Sequence, residues 1–266
     1  MKNSNLFPVE MRRRFDNIIK YDLQEIDNVD SNSLSKINYI NRLNKIIRII
    51  KKHIPPSRHI KIADFGCGQG NLSLSLAELG YKVYAIDMRE EFLEYSKAKY
   101  EKGEIEWIQS NIEDCNFEKE FFDVIVLGEI VEHCAFPEEI IQKVSVFLKK
   151  SGILIITTPN GESINSNLPI FSSLSREERQ ILISKQFGPD GADHLFLMAQ
   201  SDISIMTPRD FVVIEKGYIG TKLLNEATLP FFIFFHIHLY VLGACEHIPV
   251  INKYLSSGLY FVLKKN

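Results

Sequence analysis

Residues Ile62–Asn71 read IADFGCGQGN, and this stretch decides the fold. An apolar run, Ile60–Phe65, leads into glycines at alternate positions, Gly66, Gly68 and Gly70, and a helical pattern follows over Leu72–Leu79. Strand, glycine turn, helix is the plan of a ligand site in an open α/β sheet, because glycine lets the backbone turn tightly and come close to a bound molecule. The spacing discriminates between ligands. A dinucleotide fingerprint, GxGxxG, needs its third glycine at position 71, where Asn71 stands, and a phosphate-binding P-loop needs a GK[ST] that does not follow. Asp64, two residues before Gly66, would repel a pyrophosphate and attract an amino group.

A regular alternation runs outward from this turn. Lys82–Ile86 reads as a strand ending at Asp87, Glu90–Tyr100 as a helix and Ile105–Ile108 as a short strand. Asp123–Leu127 is a buried strand, Pro137–Leu148 a helix, and Gly152 opens the strand Ile153–Thr157. This spacing predicts a parallel sheet with helices on both faces. Upstream, Ser35–His53 is helical, with Ile40, Leu43, Ile47 and Ile50 on one face and Arg42, Lys45, Arg48 and Lys52 on the other, up to Pro55 and Pro56.

After Thr158 the rhythm breaks, and 159–206 is long enough to predict a lid or binding segment. Thr207 and Pro208 read as the N-cap and first position of a helix ended by Gly217. Ile219–Leu224 and Leu259–Lys264 read as two further strands. The expected organisation is one domain: a helical cap over 1–55, a cofactor-binding core over 56–158, and substrate-side insertions with closing strands over 159–266.

Composition narrows the function. With 266 residues, 45% of them hydrophobic, the chain can bury a sizeable core, and a net charge of -3 provides no basic field for nucleic acid. Cys67, Cys115, Cys134 and Cys245 form no CxxC pair and read as reduced thiols. The stretch MKNSNLFPVEMRRRF has no apolar core of signal-peptide length, which predicts a cytoplasmic protein. Leu229–Cys245, LPFFIFFHIHLYVLGAC, approaches the length of a membrane span but carries His236 and His238, and reads as a buried or interfacial helix. Between Asp30 and Asp64 there is no acid, so the basic helix and this aromatic run together raise peripheral membrane contact and a lipid-linked acceptor as expectations.

DFGCGQG, the acid Asp87 after the second strand, FDVIVLGEIVEH and LIITTPNG together resemble the class I S-adenosylmethionine-dependent methyltransferases, over about Ile60–Gly161. The chain is most similar to the branch holding the ubiquinone-biosynthesis O-methyltransferases and other small-molecule methyltransferases. The resemblance implies a Rossmann-like, seven-stranded, mostly parallel sheet with an antiparallel last strand, and S-adenosyl-L-methionine as cofactor. It implies that Gly66, Cys67, Gly68 and Gly70 pack against the methionine part and that Asp64 lies near its amino group. Asp87 would take the ribose, with Met88 beside it, and Gly128 and Glu129 would close the site. Asn111, with Ile112, stands where the family has an aspartate facing adenine; an amide offers both a donor and an acceptor there.

Methyl transfer from a sulfonium is an in-line displacement, and a hydroxyl acceptor must also lose a proton. Glu132, His133 and His194 are the candidate catalytic residues, with Glu129 nearby. At i, i+3 and i+4, Glu129, Glu132 and His133 would share one side of a helical turn and, with His194, could hold a divalent cation, taken here as Mg2+. The same Glu-His pair also fits a helix cap and a pocket wall without metal. ExxEH with a distant histidine resembles the metal site of small-RNA terminal ribose methyltransferases. The expected function is therefore methylation of a small molecule (a sugar, quinone or lipid-linked compound), preferentially at oxygen. RNA ribose methylation and a non-catalytic, cofactor-binding partner protein are the alternatives.

Overall fold

Among the described residues, runs of β-branched and aromatic residues build seven strands: β1 (Lys61–Phe65), β2 (Lys82–Asp87), β3 (Glu104–Gln109), β4 (Phe122–Gly128), β5 (Leu148–Pro159), β6 (Phe211–Ile219) and β7 (Gly258–Lys265). The computed structural model describes residues 15–22, 34–164, 166–186, 194–220 and 249–266. The strands form one sheet in the order β3-β2-β1-β4-β5-β7-β6. β1 to β5 pair in parallel, and β7 runs antiparallel to both β5 and β6. Strand order reverses between β1 and β4, so the carboxyl ends of these two strands flank the crevice where ligands bind in such sheets.

Helices follow the strands as the alternation predicts: α1 (Asp16–Asp22), α2 (Leu34–His53), α3 (Asn71–Glu78), α4 (Glu90–Lys99), α5 (Pro137–Phe147), α6 (Arg176–Lys185), the single turn α7 (Ile203–Met206) and α8 (Pro249–Leu255). Successive residues of β1, β4 and β5 point to opposite faces, and both faces are covered, which is why these strands read as unbroken apolar runs. On one face Phe65, Ile125, Leu127 and Phe261 pack with Ile141 and Val144 of α5. On the other, Ile62, Val124 and Val262 pack with Ile46, Ile49 and Ile50 of α2 and with Leu76 of α3.

One predicted element is overturned. The helix expected from Thr207 to Gly217 is strand β6, and Thr207 closes the short turn α7 instead of opening a helix. The run Phe211–Ile214 is β-branched and aromatic, and pairing with β7 from Phe211 to Ile219 outweighs the local cap signal of Thr207-Pro208. Of the strand expected at Ile219–Leu224, only its start falls among the described residues, and Leu229–Cys245 lies outside them. No helix among the described residues is long and apolar enough to cross a membrane. Cys67, Cys115 and Cys134 are free thiols.

The basic face of α2 is partly used within the molecule. Lys52 Nζ lies 2.8 Å and Lys45 Nζ 3.4 Å from the Glu215 carboxylate of β6, and the Tyr260 hydroxyl donates to it at 3.1 Å. Partial burial pushes the Glu215 carboxyl up, but the Lys52 and Tyr260 hydrogen bonds and the charge of Lys45 outweigh it and hold it at about 2. A depressed carboxylate stabilises the fold above its unfolded value and loses that contribution as pH falls towards the folded one. Glu215→Gln is therefore expected to lower unfolding free energy by about 1 kcal/mol at neutral pH. The gap from wild type should close as pH falls from 4.5 towards about 2, read by urea titration.

Candidate functional site

The glycine loop closes over the end of β1. Cys67 N–H donates to Ile86 of β2 at 3.0 Å, and Gly68 N–H donates to Asp87 Oδ2 at 2.9 Å. Asp87 Oδ1 also accepts from Arg89 N–H at 2.9 Å, so its side chain, 4% exposed, fixes the loop from behind. Each carboxylate oxygen retains acceptor capacity for a hydroxyl.

The three glycines have different reasons to be glycine. All have positive φ, at 64°, 50° and 77°. A Cβ on Gly66 would overlap Ile130, and one on Gly70 would overlap Ser96 of α4, whereas one on Gly68 meets nothing within 4 Å. Gly66 and Gly70 thus answer to packing, and Gly68 leaves its space to the cavity. Gly70→Ala is expected to destabilise the protein by about 2–4 kcal/mol, from left-handed strain plus the Ser96 overlap. Gly68→Ala should fold with only about 1 kcal/mol lost and weaken ligand binding instead. Thermal melts with and without ligand separate the two.

A cavity of about 520 Å³ lies between this loop, the end of β4 and α2. Of the residues singled out from sequence, Asp64, Gly66, Cys67, Gly68, Gly128 and Glu129 line it. Gly70, Asp87, Met88, Asn111 and Ile112 do not. Met88 is 65% exposed, Ile112 packs against the core, and Asn111 is exposed, its Oδ1 accepting from Glu113 N–H at 3.3 Å. The polar and aromatic walls not foreseen are Tyr39 and Arg42 of α2, Gln69 of the loop, and Arg89 and Phe92, which stack at 3.8 Å. Tyr39 and Arg42 sit three apart beside Leu43 and Ile46, so polar residues breaking into an apolar helix stripe were the available signal.

Asp64 is 4% exposed and its Oδ2 accepts from Ser73 Oγ at 2.6 Å. Burial pushes its carboxyl up to about 7, the Ser73 hydrogen bond works against this, and the charge of Asp87 adds to it. A buried acid held up in this way is matched to an incoming cation, which would restore its charge.

Beyond β4 the predicted helical face does not form. Glu129 takes φ 55°, and only Val131–His133 make a single 3-10 turn. Glu129 lines the cavity, pairs with Arg42 at 3.2 Å and does not join the ligand cluster of the other two residues, though its charge, after burial, helps to hold the Glu132 carboxyl well above the usual carboxylate range. Glu132, His133 and His194 do come together, with one potential ligand atom of each lying within 4.8 Å of the others. Leu195 N–H donates to the Glu132 carbonyl at 2.9 Å and so brings His194 to the cluster. The two imidazoles meet edge to face, 4.7 Å between centroids.

Glu132 is fully buried. Its Oε2 accepts from Thr158 Oγ1 at 3.0 Å, while Oε1 has no hydrogen-bond partner among the described residues and lies 4.0 Å from His133 Nε2. An unpartnered buried carboxylate oxygen beside two imidazoles fits a divalent ion. Two nitrogen donors and one oxygen suit zinc, manganese or iron; magnesium, named from the sequence, prefers a set of oxygens.

Residues 63–156 match the family described as a methyltransferase domain. The ubiquinone biosynthesis O-methyltransferase of Haemophilus ducreyi is 37% identical over 109 residues, covering 38% of this chain and 45% of the relative. That of Pelagibacter ubique is 38% identical over 113 residues, covering 42% and 47%. The matched stretch thus spans less than half of those relatives' length. Among solved structures, magnesium protoporphyrin IX methyltransferase of Synechocystis, with bound S-adenosylhomocysteine, superposes with a TM-score of 0.57 at 12% identity, covering 98% of this chain and 97% of that one. The plantazolicin methyltransferase BpumL superposes with a TM-score of 0.53 at 16% identity, covering 97% and 91%. At these identities the superpositions speak for the fold.

Proposed function

We propose that this chain, whose residues 63–156 match a methyltransferase domain, moves the methyl group of S-adenosylmethionine to an oxygen of a small-molecule acceptor. The observation that carries the cofactor reading is the buried Asp64 carboxyl, held near neutrality at the wall of a cavity that Gly68 leaves open. In this reading Asp64 receives the amino group of the methionine part, Asp87 accepts from the ribose hydroxyls, and Gly66 and Gly68 let the backbone come close.

When bound, S-adenosylmethionine would supply an electrophilic methyl group to the acceptor oxygen and leave as S-adenosylhomocysteine, while the acceptor proton would pass to a base on this chain. His133 and His194 are the proposed bases, and Glu132 orients them. Glu132, His133 and His194 would hold a divalent ion, which would supply the Lewis acidity to favour deprotonation of an acceptor hydroxyl.

Oxygen is favoured as the accepting atom because the relatives that match the core are named O-methyltransferases. RNA ribose is the second reading, favoured by the Glu132–His133–His194 cluster and opposed by the net charge of -3. Peripheral membrane contact and a cytoplasmic location remain part of the proposal. The test is transfer of labelled methyl from S-adenosylmethionine to parallel panels of phenols, sugars and short RNAs. Label in a phenol or sugar supports the leading reading, label in RNA alone replaces it, and failure to bind S-adenosylhomocysteine by calorimetry ends both.

A further inference from the structure

Asn71 occupies the position that separates this loop from a dinucleotide site, yet it does not line the cavity. Its side chain is 1% exposed, accepts a hydrogen bond on one side and donates one on the other. The ammonium of Lys99 in α4, 3% exposed, donates to Asn71 Oδ1 at 2.6 Å. That bond fixes which way the amide faces, so Asn71 Nδ2 is left to donate to the Tyr39 hydroxyl of α2 at 2.9 Å.

Tyr39 belongs to the wall shared by two cavities. The larger is the one described above. A second, of about 240 Å³, lies on the other side of Tyr39, Arg42 and Glu129 and is closed by Asn38, Ile219 and Leu259. The Arg42 guanidinium rests 5.3 Å from the Tyr39 ring centroid while it pairs with Glu129. The two halves of α2 differ. Ile46, Ile49 and Ile50 are buried in the core, whereas residues 38 to 43 are only partly buried. The first half therefore has less apolar packing to hold it, and a directed hydrogen bond counts for more there.

We propose that Lys99 and Asn71 are positioning residues that act through Tyr39. They hold the first half of α2 as the partition between the cofactor cavity and the second cavity, and so set how long the cofactor stays. The proposal rests on the cofactor reading above for its kinetic readout, and on α2 alone for its structural one.

Three variants test it: Tyr39→Phe, which keeps the ring and loses the hydroxyl; Asn71→Ala; and Asn71→Asp. The carboxylate of Asn71→Asp can face Lys99 and still accept from the Tyr39 hydroxyl. Stopped-flow release of S-adenosylhomocysteine should quicken about tenfold in Tyr39→Phe and in Asn71→Ala, and return close to wild type in Asn71→Asp. The Tyr39→Phe/Asn71→Ala double variant should be no faster than Asn71→Ala alone, because the Tyr39 bond is already lost in Asn71→Ala, which also takes the acceptor from Lys99. Amide hydrogen exchange of the unliganded protein should quicken over residues 38–43 and stay unchanged over 46–53.

Additive effects on release, or exchange that quickens evenly along α2 or not at all, would overturn the proposal and leave Asn71 a core residue. If wild type fails to bind S-adenosylhomocysteine while exchange changes as expected, the cofactor reading falls and the positioning of α2 stands.

Discussion

Asp64→Asn should lower affinity for S-adenosylhomocysteine about a hundredfold and, above neutral pH, make the unliganded protein more stable than wild type. Both effects come from one carboxyl. Burial, reinforced by Asp87, raises its pKa from 3.8 to about 7 against the opposing Ser73 hydrogen bond. Between those values the folded protein keeps a proton that the unfolded chain releases. Stability therefore falls as pH rises through this window, and the loss is complete above about 7.

Asparagine keeps an acceptor for Ser73 but has no charge to bury, so the variant escapes a cost of order 2–4 kcal/mol above neutrality. The advantage should shrink as pH falls from about 7 to 3.8, and below 3.8 wild type carries the charge in neither state. Binding runs the other way. The ammonium of the ligand needs the carboxylate, so wild-type affinity should weaken as pH drops below about 7, and the variant's should be flat. Calorimetric titration across that range, paired with urea melts, reads both. Equal affinity in the two proteins would remove Asp64 from the cofactor site.

Glu132→Ala should reduce turnover by about a hundredfold or more while leaving S-adenosylhomocysteine affinity within about twofold. The split follows from geometry. Glu132 does not line the cofactor cavity, but its unpartnered Oε1 sits with the two imidazoles, and its backbone carbonyl takes the Leu195 amide that brings His194 into place. Removing the side chain leaves that backbone bond intact, so the fold should survive. Metal analysis of the purified protein is the second readout. Wild type should carry or take up zinc, manganese or iron, and Glu132→Ala should not. Unchanged turnover in the variant and in chelator-treated wild type would reduce the cluster to a pocket wall.

What the sequence made legible follows the range of the forces involved. The alternation of β1 to β5 with their helices is local, and so is the glycine loop with Asp64; all of these could be read directly. β6 could not, because Thr207-Pro208 imitates a helix start and the pairing that overrides it, Phe211 with Lys265 through Ile219 with Gly258, comes from far along the chain. Glu129 was expected beside Glu132 because i, i+3 spacing presumes helical backbone, and its φ of 55° breaks that presumption. Tyr39 and Arg42 were missed because the apolar stripe of α2 was drawn through Ile40 and Ile47, which puts Arg42 on the opposite face, whereas the docked helix turns Tyr39, Arg42, Leu43 and Ile46 to one side.

The strand order also governs how the protein can be born. β7 is the last of the seven strands to be synthesised, yet it lies between β5 and β6. Until Gly258–Lys265 leave the ribosome, β5 presents an open edge, and β6 has no neighbour to join. The nascent chain must therefore wait with apolar backbone uncovered, which is where a chaperone would be needed. A premature stop before Gly258 would not trim the sheet at its margin but take a slat from its middle.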